Sequence, residues 1–143
     1  MKFDQRENID EAKYDLDGKR ILLVEDHPVN VEIIKKLLEY RGITVECAED
    51  GGRGVEMFTV ADENYYDAIL MDIKMPVMDG LQATKAIRHL TKTDARTVPI
   101  IAMTANAFDE DVNKSKEVGM NLHLTKPIEP KRLYMALDDL INK

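Results

Sequence analysis

The stretch Ala68-Ile69-Leu70-Met71-Asp72-Ile73-Lys74-Met75-Pro76 constrains this chain more than any other. Four apolar residues run straight into one carboxylate, and a proline soon follows. An uninterrupted apolar run reads as a strand buried on both faces, as in a parallel sheet. Pro76 has no N–H to offer a ladder, so the strand must end close to Asp72. Asp72 is thereby expected at the carboxyl end of a buried strand, where open α/β sheets place their chemistry. Asp is also an ordinary strand-ending turn residue, so one carboxylate decides nothing by itself. Other strand ends must bring matching groups.

The rest of the chain repeats the pattern. Ile21-Leu22-Leu23-Val24 reads as a first buried strand that stops at Glu25-Asp26. Pro28 suits the first turn of a helix, in which Val31, Ile34, Leu37 and Leu38 recur at helical spacing until Gly42. Ile43, Val45 and Cys47 alternate with Thr44 and Glu46, as in a less buried strand. A short helix is expected over about residues 52–59, the central strand over 66–71, and a helix capped by Asp79 in which Leu81, Thr84 and Ile87 share a face. Residues 91–97 read as a polar loop and 99–103 as another buried strand. A helix then runs from about residue 105 to 118, stopped by Gly119. Leu122-His123-Leu124 forms a short strand, and Pro130 opens a last helix carrying Leu133, Leu137 and Leu140. Residues 1–18 lack apolar periodicity and read as a tail or linker, leaving 19–142 as one domain.

Strand and helix alternate five times, which calls for an α/β fold with a doubly wound parallel sheet. The strands starting near Ile21, Tyr66 and Pro99 are the most apolar and should be central. The order 2-1-3-4-5 satisfies this; it is the flavodoxin-like (βα)5 arrangement. That order brings Glu25 and Asp26, Asp72, Thr104, and Lys126 (followed by Pro127) to one rim. Crowded carboxylates repel unless a cation compensates them. Oxygen ligands with retained waters suit Mg²⁺, with Mn²⁺ as a substitute. A metal, a lysine and a hydroxyl together attract a phosphoryl group, and one carboxylate can be its nucleophile. Asp72 stands alone on the middle strand and is the best candidate, with Glu25-Asp26 as the metal pair.

At this point the chain resembles the receiver domain of the two-component response-regulator family, over about residues 19–142. The carriers are Leu22-Leu23-Val24-Glu25-Asp26, residues 71–80 from Met71-Asp72 to Asp79-Gly80, Met103-Thr104-Ala105, and Leu124-Thr125-Lys126-Pro127. The resemblance implies that Asp72 accepts phosphate from a phosphohistidine. Glu25, Asp26, Asp72 and the carbonyl of Lys74 would serve Mg²⁺, Thr104 and Lys126 would bind the phosphoryl group, and Lys126-Pro127 would be cis. His123 matches a switch position usually held by Tyr or Phe. Lys74 and Asn106 match positions that tune phosphate lifetime. The implied output is the surface of helix 4, strand 5 and helix 5, which could also form a homodimer. The implied donor is a histidine kinase or a histidine phosphotransfer protein. A receiver of this kind catalyses its own phosphorylation and dephosphorylation.

The lead-in Asp15-Leu16-Asp17-Gly18-Lys19-Arg20-Ile21 is similar to the linker before the C-terminal receiver of a hybrid sensor histidine kinase, with a stand-alone regulator as the rival. A cytoplasmic location follows, including the cytoplasmic part of a membrane-bound sensor. A flavodoxin-like cofactor binder would need a Ser/Thr-rich phosphate loop where Glu25-Asp26-His27-Pro28 stands. A degenerate interaction module would lack a site residue, and none is missing. The net charge of −7 argues against a nucleic-acid surface, and no apolar run approaches the roughly 20 residues of a membrane span, so no direct membrane contact is expected. The single cysteine, Cys47, excludes an internal disulfide. Gly51-Gly52-Arg53-Gly54 lacks the Lys-Ser/Thr of a P-loop and reads as a helix start, and His27 as a solvent-facing helix start.

Overall fold

The computed structural model describes residues 14–105 and 109–143. Its strands are β1 (Arg20–Val24), β2 (Thr44–Ala48), β3 (Ala68–Asp72), β4 (Ile100–Thr104) and β5 (Leu122–Thr125). The helices between and after them are α1 (Pro28–Tyr40), α2 (Gly51–Val60), α3 (Gly80–Arg88), α4 (Asp109–Val118) and α5 (Pro130–Asn142). The sheet is parallel throughout, in the order β2-β1-β3-β4-β5.

Period-2 alternation along the three central strands feeds two cores. Ile21, Leu23, Ala68, Leu70, Ile101 and Met103 face one way and meet Ile34 and Leu38 of α1 and Leu133 and Leu137 of α5. Leu22, Val24, Ile69, Met71, Ile100 and Ala102 face the other way and meet Phe58 of α2 and Ala83 and Ile87 of α3. Every residue of β3 and β4 is buried, which is why their sequences show no polar alternation. Helix starts follow local chemistry. Pro28 and Pro130 open α1 and α5, and Asp79 and Gln82 cap α3 reciprocally as a capping box.

Two segments differ from the sequence expectation. The central strand starts at Ala68, because the two residues before it are engaged elsewhere. The Tyr66 hydroxyl donates to Glu46 Oε1 at 2.7 Å, and Asp67 Oδ2 accepts from the Arg20 amide at 2.8 Å. Residues 91–97, expected as a polar loop, have more internal structure than that. They hold a short 3₁₀ turn (Thr93–Ala95) whose Asp94 is buried and accepts from the Asn64 amide at 2.8 Å. Lys92 Nζ donates to the carbonyls of Phe58 and Ala61 at 2.7 and 2.5 Å, closing the C-terminal end of α2. Polar side chains turn inward there because helix and turn backbone groups need partners.

Leu16 carries no periodic signal, yet it is 1% exposed and belongs to the core beneath α1 and α5, with Tyr14 packed beside it. Gly18 donates to the Gly42 carbonyl at 2.9 Å, and Asn142 Nδ2 donates to the Asp15 carbonyl at 2.7 Å. Leu16→Ala should therefore cost about 2–4 kcal/mol of unfolding free energy in urea denaturation. A loss below about 0.5 kcal/mol, the size of an ordinary surface change, would show that this lead-in does not dock.

Candidate functional site

The rim at the carboxyl ends of the strands is assembled by backbone register. The Glu25 amide continues the ladder to Ala48 at 3.0 Å, the Ile73 amide reaches Met103 at 3.1 Å, and the Lys126 amide reaches Thr104 at 2.7 Å. With the Val24–Met71 pairing of β1 and β3, these ladders set Glu25, Asp72, Thr104 and Lys126 along one row of strand ends. Carboxylate oxygens of Glu25, Asp26 and Asp72 all lie within 4.8 Å of one another. Glu25 is 1% and Asp72 4% exposed, while Asp26 faces solvent.

Lys126 does more than stand opposite the acids. Its Nζ donates to Glu25 Oε1 at 2.8 Å and lies 3.1 Å from Asp72 Oδ1. The His27 amide donates to the other Glu25 oxygen at 3.1 Å. A cavity of about 130 Å³ opens beside this cluster, lined by Asp72, Lys74, Thr104, Ala105 and Lys126. That is room for several waters or one small oxyanion, given roughly 30 Å³ per water. The Lys126–Pro127 peptide is cis. His123 pairs with Ala102, one pleat below Thr104 and on the same face of the sheet, and it does not line the cavity. Asn106 lies outside the described residues.

Burial works against every charge here, and the partners decide who keeps it. For Glu25 the Lys126 ammonium and the His27 amide overcome burial and hold the carboxyl below its ordinary value. For Asp72 burial and then the Glu25 charge win over Lys126, and its pKa is pushed up to about 6. Burial lowers Lys126, but its bonds to Glu25 and Asp72 outweigh this and raise its pKa. The site therefore has more acid than one lysine can neutralise. Three carboxylates, one of them open to solvent, form an all-oxygen donor set suited to a hard divalent cation that keeps some of its waters.

Some features were not read from the sequence. Val29 and Ile33 of α1 are 58% and 53% exposed, although apolar. Ile33 joins Asn30, Lys126, Pro127 and Ile128 around a small hollow next to the acidic cluster. Their signal was present: both sit out of phase with the core residues Ile34 and Leu38.

Comparison with known proteins identifies the family. The model of the response regulator receiver domain matches residues 21–138. The probable histidine kinase 2 of Oryza sativa subsp. indica is 43% identical over 133 residues, which cover 85% of this chain and 13% of that protein. The hybrid signal transduction histidine kinase I of Dictyostelium discoideum is 39% identical over 127 residues, 87% of this chain and 7% of that protein. The chain thus spans a small fraction of these curated relatives. Among solved structures, the receiver domain of a sensor histidine kinase from Pseudomonas aeruginosa, with a magnesium ion coordinated in its active-site cleft, is 41% identical. It superposes with a TM-score of 0.79, covering 88% of this chain and 99% of that one. With the five-stranded order, the acidic rim and a family match over most of its length, this chain belongs to the response regulator receiver domain family.

Proposed function

We propose that Asp72 accepts a phosphoryl group from a phosphohistidine in a two-component phosphorelay. The observation that carries this is the cluster itself: a buried carboxylate at a cavity with a lysine 3.1 Å away and a threonine on the next strand. An Asp72 oxygen attacks phosphorus, the O–P bond forms as the P–N bond breaks, and the donor imidazole leaves with the electron pair. Glu25, Asp26, Asp72 and the Lys74 carbonyl would hold Mg²⁺, or Mn²⁺ in its place. When bound, the cation supplies positive charge to the phosphoryl oxygens. Thr104 and Lys126 bind those oxygens, and Lys126 exchanges its carboxylate contacts for them.

Receiver domains interact with histidine kinases or histidine phosphotransfer proteins. For this chain we place the donor against Val29, Ile33 and the hollow beside Pro127 and Ile128, next to the nucleophile. The output surface is α4–β5–α5. There His123, Leu122 and Met135 border a cavity of about 430 Å³, a face that also suits self-association. Thr104 moving toward the phosphoryl group would free space near His123 and bias that surface. Residues 19–142 form the phosphoacceptor unit, with 1–18 as a lead-in. Its likeness to hybrid histidine kinases supports reading it as the receiver of such a kinase, and we assign it to the cytoplasm. No helix among the described residues is long and apolar enough to cross a membrane.

Beryllofluoride with Mg²⁺ should load the wild type and acetyl phosphate should modify it, while Asp72→Asn responds to neither; mass spectrometry placing phosphate on another residue refutes the assignment. Folded Asp72 holds its proton up to about pH 6, against about 3.9 when unfolded. Its ionisation therefore destabilises the metal-free fold as pH rises from about 4 through about 6. In EDTA at pH 7.5, Asp72→Asn should melt roughly 3 °C above wild type, about 1 kcal/mol, and the gap should close near pH 4. A variant that melts lower at pH 7.5 would mean that Lys126 holds Asp72 more strongly than burial and Glu25 oppose it. Lys74 is exposed at the cavity mouth, where its cation can pair with a phosphoryl oxygen and obstruct water. Lys74→Asn should keep phosphorylation and lose phosphate a few-fold faster, about 1 kcal/mol in barrier. Slower loss would show that the lysine assists hydrolysis.

A further inference from the structure

Two helices begin against the loop that follows Asp72, and both begin with glycine. Gly80 opens α3, and its amide donates to the Ile73 carbonyl at 2.8 Å. A Cβ on Gly80 would lie 2.2 Å from the Asp72 carbonyl oxygen and 2.9 Å from its carbonyl carbon. Gly51 opens α2, and a Cβ there would lie 2.3 Å from the Met78 carbonyl oxygen. Neither glycine has the positive φ of a left-handed residue. Their requirement is close backbone approach, not conformational freedom. The atoms they press on are main chain, which cannot swing aside as a side chain can. The loop between the two contacts is itself tight: Val77 has φ +67°, and the Met78 amide donates to the Pro76 carbonyl at 2.7 Å.

We infer that Gly80 and Gly51 are positioning residues for the phosphoacceptor site. Gly80 seats the first turn of α3 on the backbone of Asp72, and Gly51 holds the far end of the same loop against α2. Together they set where the Asp72 carboxylate and the Lys74 carbonyl point. A methyl group at either place must push the helix off or shift the strand end. The neighbouring Gly52 has only the tip of the Asp50 side chain within 4 Å, at 3.3 Å, and so carries no such role. This inference rests on the reading that Asp72 and the Lys74 carbonyl serve a divalent cation.

The test is Mg²⁺ affinity by calorimetry, at a temperature where every variant is folded. Gly80→Ala should lose affinity 10- to 100-fold, the usual scale for disturbing the support of a metal ligand. Gly51→Ala should lose less, in the same direction. Gly42→Ala is the control for stability alone: Gly42 has φ +79° and sits before β2, at the opposite end of the sheet from the rim. Gly42→Ala and Gly52→Ala should stay within about two-fold of wild type. Wild-type affinity in Gly80→Ala, or an equal loss in Gly42→Ala, overturns the inference. If Gly80→Ala does not fold, Gly51→Ala decides on the same terms. The amide NMR signals of Asp72 and Ile73 without metal give a second readout, shifting in Gly80→Ala and staying put in Gly42→Ala. Signals that stay put in both overturn the positioning role even if wild type binds Mg²⁺. A wild type that binds no Mg²⁺ removes the metal-site reading alone, and these shifts then decide the positioning role.

Discussion

One ammonium between two buried carboxylates organises the active end of this molecule. Lys126 bonds Glu25 and contacts Asp72, and it can do so because β5 lies two strands away from β3 in the same rim. The contact links residues about a hundred positions apart, so it forms only when the whole sheet has formed. It compensates incompletely. Asp72 keeps an elevated pKa beside a Glu25 that stays charged. Such a site leaves negative charge that a cation can offset. The same imbalance suits a phosphoryl group, which brings oxygens for the lysine and takes the nucleophilic oxygen out of the cluster.

Buried strands hold the rim from below, and backbone contacts hold it from the side. β3 and β4 are buried on both faces, so Asp72 and Thr104 rise from elements with little freedom to shift. Beyond Asp72 the chain turns sharply through Val77, a β-branched residue at positive φ, and returns to meet the strand end at Gly80. A strained turn of this kind persists only where its surroundings over-determine it. Here the surroundings are two helix starts with no Cβ at the point of contact.

The sheet's two faces present different groups. The α1 side presents exposed Val29 and Ile33 beside the acidic cluster, the approach proposed for the phosphodonor. Thr104 and His123 lie on the opposite face, together with α2, α3 and α4. In the proposed relay, phosphate arrives over the α1 side and is felt across β5 from α4 to α5, through strand ends common to both faces. The lead-in residues Tyr14 and Leu16 add to the core on the α1 and α5 side.

Much of this was legible in the chain. Apolar runs ending in Glu25-Asp26, Asp72, Thr104 and Lys126, with helical periodicity between them, were enough for a doubly wound parallel sheet and its order. Uniform burial erases alternation, and that erasure is itself a signal. Residue type and strand end also made the candidate cluster readable. Three things were beyond local pattern. Leu16 has no periodic neighbours, so its burial depends on a gap left by α1 and α5. Asp94 and Lys92 look like surface polar residues until helix ends and turns demand their partners. Whether Gly51 and Gly80 serve turns or contacts cannot be read from glycine itself. Sequence determined which groups stand at strand ends, because periodicity and chain breakers act locally. Tertiary structure alone decided that Lys126 bridges two acids and that Asp72 bears the raised pKa, because those depend on distances and burial across separate strands.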